Sequence, residues 1–148
     1  VHSPNLGGLA GGDAICAARA TAAGLSGTWT ALLSTSTVNA YSRVAVTGKI
    51  YNMRLKLVAD DFVDLWDGSI TNVISFDESS LYVNPSGRVL TGSSGGGWAL
   101  AEACNDWTSA SSGIGYRFGD LGWTNAWIST SHTVNNCDNP GRLYCLSQ

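Results

Sequence analysis

Small and apolar residues recur at helical spacing near the start of the chain, and short alternating runs follow. Asp13 is placed to cap a helix through Ala14, Ile15, Cys16, Ala17, Ala18, Arg19 and Ala20 to Ala23, and Gly24 to end it. Thr28 to Leu33 reads as a short strand. Ser36 or Thr37 caps a second predicted helix through Val38, Ala40, Tyr41 and Val44, stopping before Gly48. Ile50, Tyr51, Met53, Leu55 and Leu57 then alternate partly with Asn52, Arg54 and Lys56, as in a half-buried strand. Asp60, Asp61, Asp64 and Asp67 surround Phe62, Leu65 and Trp66 in an acidic, turn-rich segment. Val73 to Phe76, Arg88 to Leu90 and Arg142 to Leu146 read as further short strands. Gly92 to Gly97 and Ser109 to Gly115 read as Gly/Ser loops. Helices first and short strands later predict an α+β fold rather than a parallel α/β sheet.

The length, 148 residues, fits one domain, and a hydrophobic content of 44% suffices for a core. Net charge is only −3, and the eight Lys and Arg form no run. Nucleic acid is therefore not an expected partner, because it needs a basic stripe to release counterions. No stretch approaches the eighteen or so apolar residues of a membrane span. The four cysteines, Cys16, Cys104, Cys137 and Cys145, contain no C-x-x-C pair. An even count without metal spacing predicts two disulfides and an oxidising compartment, with three connectivities open. The initial Val predicts that a leader or a preceding domain has been removed.

Four segments together resemble the endostatin-like branch of the C-type-lectin-like fold. They are GGDAICAARATAAGLSGTWTALLSTST (residues 11–37), ISFDE (74–78), LTGSSGGGWALAEACNDWT (90–108) and CDNPGRLYCLS (137–147). They run in order and cover most of the chain, and they look most like the bacterial endostatin-like domains. The resemblance implies two helices, a mixed short-stranded sheet and long loops in a single domain over 1–148, the C-terminal part of a longer exported chain. It also implies nested disulfides, Cys16–Cys145 and Cys104–Cys137. The family's calcium–sugar site is not implied. Thr133 and Val134 stand where its Asn-Asp would precede the third cysteine, and no Glu-Pro-Asn or Gln-Pro-Asp precedes Cys104. One N-terminal histidine, His2, and no arginine cluster leave the zinc and heparin sites of endostatin unmatched as well.

Catalytic patterns are thin. Gly92-Ser93-Ser94-Gly95-Gly96 matches G-x-S-x-G, and Asp106, Asp120 and His132 follow in hydrolase order. Gly and Ser are so frequent here that a chance match is expected, and a turn between strands is the preferred reading. The acidic segment offers hard oxygen ligands suited to calcium, without the EF-hand spacing. No metal or cofactor is predicted. The residues singled out for binding are aromatics beside hydrogen-bonding groups: Tyr116, Asp120, Trp123, Asn125 and Trp127, with Asn135 and Asn136 beside Cys137. Indole faces stack on pyranose rings while amides and carboxylates take hydroxyls. The expected function is a non-enzymatic extracellular binding or adhesion module for a glycan or a surface protein. It would sit at the tip of a surface or fibre protein. The alternatives are a structural or trimerising cap of a fibre and, last, a serine hydrolase.

Overall fold

A computed structural model describes residues 1–84 and 86–148, with the side chain of Asn135 outside the described set. The order is α1 (Gly8–Ala22), β1 (Trp29–Ala31), α2 (Ala40–Arg43), β2 (Ile50–Tyr51), β3 (Leu57–Ala59), α3 (Phe62–Leu65), β4 (Arg88–Leu90), β5 (Ser112–Asp120), β6 (Thr133–Asn136) and β7 (Cys145–Ser147). Three small antiparallel sheets result: β1–β7, β2–β3 and β4–β5–β6. The architecture is α+β, as the order of patterns predicts. Both disulfides, Cys16–Cys145 and Cys104–Cys137, are present in the nested pairing that the resemblance implies. They fit an oxidising compartment. Among the described residues, no helix is long and apolar enough to cross a membrane.

Alternation along the strands divides the core in two. Leu32, Val58, Leu65, Val89, Trp127 and Tyr144 belong to one buried cluster. Ala31, Leu33, Leu90, Trp107, Tyr116 and Val134 belong to the other. Consecutive residues 31–33 and 89–90 thus feed opposite sides of the same chain segments, as a period of two requires.

Several elements depart from the sequence pattern for local reasons. α1 begins at Gly8, not after Asp13, because Leu6 and Gly7 donate their N–H groups to Trp107 O at 2.9 and 3.1 Å. Its end at Gly24 agrees, with Leu25 N–H closing back on Ala20 O at 2.9 Å. The second helix shrinks to the single turn of α2, since Thr35 Oγ1 accepts from Val38 N–H at 3.1 Å and holds that stretch in a turn. The expected strand over 50–57 is a hairpin. Asn52 Oδ1 accepts from the N–H groups of Arg54 and Lys56 at 3.0 and 3.1 Å and turns the chain, leaving Leu55 83% exposed. In the acidic segment Asp61 caps α3, accepting from Val63 and Asp64 N–H. Most of the expected loop over 109–115 is the irregular start of β5, which shifts register between Ser112 and Tyr116. Residues 73–76 contribute only the bridge Phe76–Tyr82.

Candidate functional site

The register of β5 decides where the predicted binding residues lie. Arg88 pairs with Asp120 at one end of the strand and Asn136 with Ser112 at the other. Eight residues of strand span roughly 25 Å, so Asn136 is remote from Asp120, Trp123 and Asn125. The predicted constellation is therefore not one site. Asn135 lies on β6, and its side chain is outside the described residues.

Tyr116 and Trp127 are core residues, which corrects their assignment to a binding face. Tyr116 is fully buried against Trp107, with ring centroids 6.2 Å apart, and its hydroxyl donates to Asn139 O at 3.1 Å. Trp127 is fully buried between Trp66 and Tyr144, at 6.0 and 5.7 Å. Gly119 brings the Trp127 main chain close against β5. A Cβ at Gly119 would stand 1.8 Å from Trp127 O, so backbone packs on backbone there.

The turn after β5 does present a surface. Asp120 N–H donates to Ala126 O at 3.0 Å, and Asp120 Oδ1 accepts from Gly122 N–H at 2.9 Å. The tip carries Trp123, 60% exposed, and the exposed Asn125. Asp120 is spent on holding the turn and is only partly exposed.

A second exposed indole was not among the predicted residues. Trp98 is 54% exposed and lies nearly parallel to Tyr41, with centroids 5.0 Å apart and planes 18° apart. Tyr41 meets Phe62 edge-on at 4.8 Å. The loop beneath is fixed by main-chain bonds. Tyr41 N–H donates to Gly97 O at 3.1 Å, and Asn39 Oδ1 accepts from Ala99 N–H at 2.7 Å. Gly97 adopts φ +75°, and a Cβ there would sit 2.4 Å from the Trp66 ring. Only glycine fits at this position, which lets the backbone pass close over Trp66 on its way to Trp98. The signal in the sequence is Gly-Gly-Gly-Trp, a bulky residue after a segment with no side chain to cover it.

The two exposed indoles flank one segment. Gly95, in the Trp98 loop, lies against Gly68, while Ile70 N–H donates to Thr124 O at 3.0 Å in the Trp123 turn. Between them Asp67 and Ser69 are exposed, joined by Asp67 Oδ1 accepting from Ser69 N–H at 2.9 Å. No protein-family model matches this chain, and no curated protein matches it. Two exposed aromatic faces with carboxylate, hydroxyl and amide groups between and beside them can stack apolar ring faces and hydrogen-bond hydroxyls.

The other chemical candidates are engaged locally. Ser94 Oγ accepts from Trp98 N–H at 3.2 Å, and His132 Nδ1 pairs with Ser131 Oγ at 3.2 Å. Asp106 binds the N–H and hydroxyl of Ser36 at 2.6 and 2.9 Å. The G-x-S-x-G segment thus folds as a turn, with Gly97 N–H on Ser94 O at 3.0 Å. In the acidic segment, Asp60 pairs with Lys49, Asp61 caps α3, and Asp64 Oδ2 accepts from Asp60 N–H at 2.7 Å. Among the described residues, no group of three or more His, Cys, Asp or Glu side chains is placed to hold a metal ion. Burial pushes the phenols of Tyr116 and Tyr144 above their ordinary value. Burial, then the nearby α-amino group and Arg19, lower His2, and Glu78 opposes them.

Proposed function

We propose that this chain is a non-enzymatic binding module of the endostatin-like branch of the C-type-lectin-like fold, exported and acting on a glycan-bearing surface. The observation that carries this reading is Trp98, more than half exposed yet stacked on Tyr41. An indole left in water is justified when a partner covers it. Its stacked geometry lowers the ordering cost of that contact. Trp123, Asn125, Asp67 and Ser69 extend the surface with a second aromatic face and hydrogen-bonding groups.

A glycan array on the disulfide-intact protein, run with calcium and with a chelator, tests the proposal. Chelator-resistant binding is expected, at least tenfold weaker in Trp98→Ala and Trp123→Ala with unchanged far-ultraviolet circular dichroism and urea midpoint. Binding that both variants retain in full would refute it. A second reading, a structural cap, draws on another surface. Leu55, Leu81 and Tyr82 are all exposed near one another, where Ser80 Oγ bonds to Met53 O at 2.8 Å. Light scattering distinguishes it, since a cap is a stable oligomer and Leu81→Asp would dissociate it.

A further inference from the structure

In the two-stranded β1–β7 and β2–β3 sheets every strand is an edge strand, and β7 and β2 border one cleft of about 820 Å³. Cys145, Leu146 and Ser147 line it from β7, and Ile50 and Tyr51 from β2. Its apolar lining includes Leu32, Val46, Val58, Ile74 and Val83.

Hydrogen-bond phase fixes which main-chain groups point outward. Leu32 N–H donates to Tyr144 O at 3.0 Å, and Gln148 N–H to Thr28 O at 2.9 Å. Thr30 and Leu146, midway between, face each other as a bonded pair, so Cys145 and Ser147 turn their N–H and C=O away from β1. Ala31, opposite Cys145, confirms the phase from the other side. Its N–H goes outward to Asp13 Oδ1 at 2.9 Å, and its C=O accepts from Arg43 Nη1 at 2.6 Å. Side chains thus cover the outer edge of β1. In the second pair Asn52 N–H donates to Lys56 O at 3.0 Å, so Tyr51 turns its main chain away from β3. Leu57, opposite, turns its C=O outward to Asn72 Nδ2 at 2.9 Å. Among the described residues, no hydrogen bond reaches the outward main-chain groups of Cys145, Ser147 or Tyr51.

An open sheet edge is a template for one more strand, and here two open edges border the same cleft. We propose that the cleft takes an extended, uncharged peptide segment of another protein, which pairs with β7 on one side and β2 on the other. The partner's chemistry follows from the lining. Alternating donors and acceptors match a peptide backbone and not an acyl chain. The lining carries both signs, with Arg19 paired to Glu78, Lys49 paired to Asp60 beside it, and Arg142 and Asp77 adding one charge of each kind, so an uncharged strand complements it better than an acidic or basic one. Apolar side chains at alternate positions would meet the apolar lining while the others face solvent. The site does not include Trp98, Tyr41 or Trp123, so its failure leaves the proposed function untouched.

The test begins with a cysteine-free library of displayed random heptapeptides, panned on the intact protein. Each selected peptide is synthesised twice, with a normal backbone and with N-methyl groups at alternate residues. The normal peptide should slow amide exchange at Cys145, Ser147 and Tyr51, which exchange fast in the free protein while Leu146 is protected. The N-methylated peptide should bind at least tenfold more weakly, and Ser147→Pro should do the same to the normal peptide. Ser147 is an exposed edge position whose N–H has no partner among the described residues, so proline there is compatible with folding. The inference is overturned by fast exchange at the three amides with every selected peptide bound, or by equal affinity of the two backbones. It is also overturned if the three amides are protected in the free protein by self-association that Ser147→Pro abolishes, which would assign the edge to a second copy of this chain.

Discussion

Asp13 distinguishes two accounts of the N-terminal helix by magnitude. A residue that merely caps a helix loses about 1 kcal/mol on replacement by alanine, whatever its neighbours. In the structure Asp13 instead lies inside α1 and braces three elements. Oδ1 accepts from Ala31 N–H on β1 at 2.9 Å, and Oδ2 from Arg43 Nη2 on α2 at 2.6 Å. Arg43 is only 11% exposed and Asp13 37%. Asp13→Ala leaves the Ala31 N–H orphaned, costing roughly 1–3 kcal/mol, and removes the carboxylate paired with Arg43, costing a further 1.5–3 kcal/mol or so. With partial exposure screening the pair, a total of about 3 kcal/mol is expected. That corresponds to a fall in Tm of roughly 6–12 °C for a domain of this size. Asp13→Asn keeps an acceptor for Ala31 and should lose about half as much. Arg43→Met in the Asp13→Ala background should restore part of the loss, because it removes the stranded charge. Urea titrations of the four proteins measure each term. A loss near 1 kcal/mol for Asp13→Ala, unchanged by Arg43→Met, would refute the brace.

Other expectations follow from packing and covalent links. Removing Cys16–Cys145, which joins residues 129 apart, should cost about 5 kcal/mol, and removing Cys104–Cys137, at a separation of 33, about 4 kcal/mol, both read from urea midpoints of paired Ser variants. Gly119→Ala should destabilise by at least about 3 kcal/mol, since its Cβ meets Trp127 O, whereas Gly95→Ala, with only ordinary contact to Gly68, should stay within about 0.5 kcal/mol. Tyr144 is buried, its hydroxyl lacks a partner among the described residues, and its folded-state pKa is raised. The unfolded phenol ionises near pH 10 while the folded one does not, so stability should fall above that pH by about 1.4 kcal/mol per unit from this group. Tyr144→Phe should flatten that slope and be neutral or stabilising at pH 7, as denaturation at several pH values would show.

Features set by local chemistry were legible in the sequence. The end of α1 at Gly24 and the short strand β4 follow from turn formers and apolar runs nearby. The start of α1 was not, because a carbonyl on Trp107, a hundred residues away, supplies the contact that lets a glycine-rich stretch begin the helix. The same limit governs the aromatic residues. Trp98, Trp123 and Trp127 have similar Gly-, Ala- and Asn-rich neighbours, yet one is buried and two are exposed. What separates them is the partner strand. Trp127 lies where β5 folds its chain back onto the core, and Trp98 follows glycines that leave Tyr41 alone beneath it. Asn135 and Asn136 join the aromatic segment in the sequence only through their position beside Cys137, whereas the β5–β6 register sets Asn136 opposite Ser112, at the far end of β5 from Asp120.

The nesting of the two disulfides also bears on how the chain is made. Synthesis delivers Cys16 first and Cys104 second, long before their true partners at 145 and 137. The first bond that an oxidising lumen can close is therefore Cys16–Cys104, and it must be exchanged through a mixed disulfide once Cys137 arrives. The β1–β7 pair adds a second delay, because β1 has no strand to join until residues 145–147 emerge. Until then the first helix lacks its covalent tether and half its sheet. A thiol isomerase, or translocation completed before oxidation, is the natural companion of this topology.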